Sequence, residues 1–248
     1  MSDFNRFQRA APATADMAVD AGLRAFMLGV YSKLGLGLAV AGALAWVTGN
    51  VPAVQQLLFV QQIDGRIGLT PLGWAVQFAP LVILFGSMFA MKNPTAKGTG
   101  ILYWLVVATI GAGLGILFLR YTGASIATTF FVTSAAFGGL SLFGYTTKKN
   151  LSAMGTFLIM GLIGLIIASI VNIFLQSPML MFVISAAGVL IFSGLIAFDT
   201  QRLKMGYYDA QSMGGESLAV LTNWGALSLF INFINLFQFL LHFLGNRE

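Results

Sequence analysis

The chain has 248 residues, 58% of them hydrophobic and only 8% charged, with a mean hydropathy of +0.87 and a formal net charge of +5. A soluble domain carries about a quarter charged residues, so this surface cannot face water and lipid must be its solvent. The bases sit at the ends of apolar runs rather than in a stripe with aromatics, which excludes a nucleic-acid partner, and the lack of cysteine excludes disulfides, thiol catalysis and cysteine-bound metal.

Residues 1–24 form a polar leader of mixed charge (Asp3, Arg6, Arg9, Asp16, Asp20, Arg24), followed by a membrane domain over 25–248. Ala43-Leu44-Ala45 mimics a signal cleavage site, but the apolar run around it is too long for a signal core. A span needs about 20 mostly apolar residues. Seven runs qualify: Ala25–Val47, Leu72–Met91, Gly100–Leu119, Ile126–Thr146, Ala153–Leu175, Met179–Phe198 and Leu218–Phe243. Backbone groups in hydrocarbon must be satisfied within the segment, so each run is predicted helical and no strand is expected. Val51–Val60, in the one long connection, is too short to span and is expected at the interface.

In the first span, Gly35, Ala39 and Ala43 recur at intervals of four beside Gly37, Ala41 and Ala45, and the third span has Gly111 and Gly115. This small-xxx-small spacing predicts tight helix contact. Lys and Arg set the orientation. Arg6, Arg9, Arg24, Lys92, Lys97, Lys148, Lys149, Arg202 and Lys204 fall on one side, and Arg66, Arg120 and Arg247 on the other. Lys33, within the first span, can snorkel. The N-terminus is therefore predicted to be cytoplasmic.

Of the eight acids only Asp199 touches a span. Met179 to Asp199 already covers about 30 Å of helix, so the acid can be a shallow helix end, paired with Arg202 three residues on. It can instead point into the bundle if the helix continues to about Lys204, with Gly206 as the stop. In the last span Ser228, Asn232 and Asn235 share a face, either as helix-to-helix glue or as a polar path meeting Asp199. Ser125, Thr129 and Thr133 are spaced for bonding back to the backbone or for lining a path. His242, the only histidine, reads as an interface residue, and the methionines as apolar filler.

No enzyme is predicted. Aspartic chemistry needs two carboxylates sharing a proton, and Ser193-Gly194 with a lone histidine is a weak protease pattern. No metal site and no resident cofactor are expected.

Two segments carry a family resemblance: FDTQ (Phe198–Gln201) with the apolar run before it, and ALSLFINFINLF (Ala226–Phe237). They resemble the sixth- and seventh-helix motifs of the transmembrane Bax inhibitor motif family. Ala79–Gly86, Ser141–Gly155 and Phe157–Leu175 resemble its bacterial branch. The resemblance implies a seven-helix bundle with a central last helix in a bacterial inner membrane. It also implies a calcium leak, with calcium as permeant ion rather than cofactor, under the proton control of two paired aspartates.

The first of these aspartates falls on Asp199. The second falls on Asn232, where F-I-N stands in place of Y-L-D. The family arginine of the second helix has no counterpart in Leu72–Met91, with Lys92 at its edge. Two touching carboxylates hold a shared proton, whereas an amide carries no charge. One carboxylate with one amide is also a poor site for calcium, which takes about six to eight oxygens. A flux smaller, or less switched by pH, than in the paired members is therefore expected. The resemblance equally admits a regulator that binds other membrane proteins, such as a membrane-bound quality-control protease, through the leader Met1–Asp20.

Overall fold

The computed structural model describes residues 11–61 and 67–246, with side chains from residue 21 onward. In chain order it contains α1 (Ala11–Asn50), α2 (Pro52–Leu58), β1 (Phe59–Gln61), β2 (Ile67–Leu69), α3 (Pro71–Ala90), α4 (Ala96–Gly113), α5 (Gly123–Thr146), α6 (Ser152–Leu175), α7 (Pro178–Met213) and α8 (Gly215–Leu244). A 3-10 turn, Leu114–Leu119, continues α4. Among the described residues, seven helices are long and apolar enough to cross a membrane: α1 from Ala21, and α3 through α8.

Hydroxyl caps start four of them. Thr70 accepts from the Gly73 amide at 3.0 Å, Thr95 from Gly98 at 3.1 Å, Thr122 from Ser125 at 3.2 Å and Ser177 from Leu180 at 3.3 Å. Each supplies an acceptor to an amide that has no partner inside its own helix.

Three sequence expectations change. The connection Thr48–Thr70 contains a short antiparallel hairpin, Phe59 opposite Leu69 and Gln61 opposite Ile67, although no strand was expected. Leu58 and Phe59 bury against Ile116, and the hairpin pairs backbone that the short helix α2 leaves free. The sixth span does not end at Phe198, nor does its helix stop at Gly206; α7 runs on to Met213. Beyond Phe198 it stays amphipathic: Thr200, Gln201, Leu203, Tyr207 and Ala210 are buried while Arg202, Met205 and Tyr208 face outward. Gly206 has room beside Leu221, and the break falls at Gly214, whose φ of +101° suits glycine. The polar leader is helical from Ala11, within α1; residues 1–10 lie outside the described residues.

Close approach follows the glycines. A Cβ on Gly111 would stand 2.7 Å from the Ala41 Cα, and one on Gly144 would stand 2.9 Å from the Ala197 Cα. Thr48 packs onto Gly115 and donates to the Ala112 carbonyl at 3.0 Å. The two small-residue stripes of α1 thus divide. Gly37, Ala41 and Ala45 are buried, Ala41 against Gly111 of α4, while Gly35, Ala39 and Ala43 are exposed; members of both stripes line an apolar groove of about 620 Å³ beside α5. The last helix is central: α8 packs on α1, α4, α5 and α7, and Leu229, Phe230, Phe233 and Leu236 are fully enclosed.

Candidate functional site

Asp199 sits where α7 crosses α8, and only 5% of it is exposed. Two neutral donors reach one carboxylate oxygen from α8. The Asn232 Nδ2 donates to Oδ2 at 2.8 Å, and the Ser228 Oγ donates to the same atom. The other oxygen, Oδ1, pairs with the Arg202 guanidinium at 3.1 Å, one turn further along α7. The carboxylate thus faces the bundle and also pairs with Arg202, through different oxygens, but it is not a helix end, since α7 runs on to Met213. Three of its about four acceptor positions are filled.

The partners differ in environment. Asn232 is buried, whereas the Arg202 side chain is 58% exposed and also lies over the Phe198 ring at 5.6 Å. The base that ties the acid comes from α7 itself, not from the second span. An intramembrane carboxylate costs about 2.5–3.5 kcal/mol at mid-depth and less toward the interface. Here two neutral donors and a cation offset that cost.

The rest of the FDTQ segment fixes the acid in place. Phe198 packs directly on Gly155 of α6. The Gln201 side chain accepts from the Leu151 amide at 2.8 Å and donates to the Lys149 carbonyl at 2.8 Å, fastening the α5–α6 connection. Lys204 donates to the Tyr145 carbonyl at 3.0 Å, at the negative end of α5. Leu203 fills the space over Gly225 of α8.

Asn235 is not part of this cluster. It donates to the Ile231 carbonyl at 2.8 Å and lines a separate small groove with Ser169 and Phe192. It does share the α7-facing side with Ser228, but it stands two turns deeper, where α7 presents Phe192 rather than an acid. Thr133 donates back to the Thr129 carbonyl at 2.7 Å, and Ser125 accepts from the Asn246 amide at 3.0 Å. Past Asn232, Phe130 and Phe137 of α5 meet Phe233 and Phe237 of α8 edge to face, at centroid distances of 5.6 to 6.4 Å. His242 contacts the Tyr121 hydroxyl at 3.4 Å. Among the described residues no group of three metal-ligating side chains gathers.

A second polar cluster escaped sequence reading. Lys33 of α1 donates to the Asn223 Oδ1 of α8. The Asn223 Nδ2 in turn donates to the Ala96 carbonyl at 2.9 Å and to the Thr99 Oγ1 at 2.8 Å, both on α4. Tyr103 donates to the Lys33 carbonyl at 2.7 Å, and its ring lies 5.0 Å from the ammonium. The sequence signal was the lysine inside a span, a position whose cost calls for a partner or a purpose.

Among the described residues, seven apolar helices, the last of them central, with an acid held inside, define a multi-pass α-helical membrane protein. Residues 23–248 match the family described as Inhibitor of apoptosis-promoting Bax1, and the chain belongs to that family. It is 64% identical to an uncharacterized protein of Caulobacter vibrioides over the full length of both chains. It is 44% identical to the uncharacterized protein RP147 of Rickettsia prowazekii, over 92% of each chain. It is 41% identical to the inner membrane protein YbhL of Escherichia coli, over 92% of this chain and 94% of the relative. The apolar helices and these relatives identify a multi-pass protein of a bacterial inner membrane.

Proposed function

We propose that the protein is a cation leak, with calcium as the permeant ion, in which Asp199 is the charged station of the path and Arg202 its gate. What supports the reading is the division of labour on one carboxylate: buried neutral donors hold Oδ2, while an exposed, displaceable guanidinium covers Oδ1. With Arg202 in place the negative charge is neutralised toward the basic end of the bundle, which is a closed arrangement. Swinging Arg202 into solvent uncovers the acid without repacking the core. Proton control is weaker than in paired members, because Asn232 holds the second position and does not titrate. The activity is not enzymatic and uses no resident cofactor.

The test is calcium flux by purified protein in vesicles from pH 6 to 8. Asp199→Asn abolishes flux, Arg202→Gln raises it, and Asn232→Asp steepens its pH dependence. Steep pH control in wild type that Asn232→Asp does not change would overturn the weakened-switch part.

A second reading is a regulator that conducts nothing and binds other membrane proteins, such as a membrane-bound protease. The phenylalanine cluster past Asn232 favours it, since it closes the bundle beyond the acid. Removing residues 1–20 separates the two: flux survives in a leak, and partner capture fails in a regulator.

A further inference from the structure

We propose that the pocket between α1, α4 and α8 at the basic end of the bundle binds an anionic phospholipid, with Lys33 and Lys97 as the cationic ligands of its headgroup phosphate. This stands independently of the leak reading, because it uses none of the residues around Asp199. The pocket holds about 510 Å³ and is lined by Lys33, Lys97, Asn223, Trp104, Ile101 and Leu105, among others.

Three observations carry it. First, Lys33 holds a positive charge in a span with only neutral partners: no carboxylate among the described residues lies within ion-pair distance, and Asn223 takes one of its three donors. Secondly, the site is preorganised. Both Asn223 donor bonds go to α4, which fixes the amide so that its oxygen faces Lys33. Lys33 is thereby held at the pocket wall rather than left to reach for bulk water. Thirdly, a second cation, Lys97, lines the same cavity at the start of α4, where the helix dipole adds positive potential.

The missing component is an anion. The other wall shows what carries it: Ile101 and Leu105 are exposed toward lipid, and Trp104 is a residue type favoured at the headgroup level. A phosphate between the two lysines with acyl chains along Ile101 and Leu105 satisfies both halves of the pocket. A free phosphate would leave the apolar half unused.

The experiment is native mass spectrometry of the full-length chain in detergent, with phosphatidylglycerol and phosphatidylcholine of identical acyl chains at equal concentration. Wild type retains phosphatidylglycerol in preference. Lys97→Gln and Lys33→Gln each lower that preference about fivefold, Lys33→Arg keeps it, and Lys148→Gln, at the same membrane face but outside the pocket, leaves it unchanged. Circular dichroism verifies folding. If Lys33→Gln does not fold, the exposed Lys97 carries the test. Equal retention of the two lipids, an unchanged preference in Lys97→Gln, an equal loss in Lys148→Gln, or displacement by millimolar inorganic phosphate would each overturn the proposal.

Discussion

The acid at position 199 is held by side chains that contribute unequally to stability and, in the proposed leak, to its control. Asn232 and Ser228 are the inner donors, and removing one leaves a buried acceptor short of a partner, which costs about 1–3 kcal/mol. Asn232→Leu should therefore lower the unfolding midpoint in detergent clearly. The Arg202 side chain is 58% exposed while that of Asp199 is 7% exposed, so the pair is screened from one side only. Arg202→Gln should lower that midpoint less than Asn232→Leu does, while altering flux. A large loss of stability on Arg202→Gln would mean that the guanidinium is a structural brace and not a movable cover. The residues of this site were largely legible in the sequence: a lone acid at the end of an apolar run, and Ser228 and Asn232 four apart on the next helix. Asn235 was misplaced because angular spacing gives the face and not the depth. The partner of Lys33 is illegible in the sequence because Asn223 lies 190 residues away and no local pattern joins them.

The helices sort small residues into those that touch backbone and those that face lipid. Gly111→Val would push a side chain into the Ala41 backbone and should cost about 1–3 kcal/mol by overpacking. Gly42→Ala meets nothing within 4 Å and should be close to neutral. Thermal unfolding of the two variants side by side checks this; equal effects would contradict the close approach at Gly111. Spacing in the sequence identified both stripes of α1 without distinguishing them, since only the position of α4 decides which one is buried. The end of α7 was hidden for a different reason. Its last turns carry Arg202, Lys204 and Asp209, which end the hydropathy run but not the helix, because Leu203, Tyr207 and Ala210 continue the buried face. The hairpin was illegible because three-residue strands carry no usable period.

At the scale of the molecule, hydropathy and the distribution of bases were sufficient for seven spans, and one polar seam between α7 and α8 sets the chemistry. The outward faces are strongly apolar, with Phe174 82% exposed and Phe89 81% exposed, as suits a lipid surround. Inside, the seam is charged at one level only, and above it the phenylalanines of α5 and α8 meet. The proposed leak depends on one carboxylate and on the cation covering it. The most direct measurement is the calcium flux of purified wild type, Asp199→Asn and Arg202→Gln in vesicles of the same composition. Flux that vanishes without the carboxylate and rises without the guanidinium is what this site predicts. Equal flux in all three, or none in any, would contradict it.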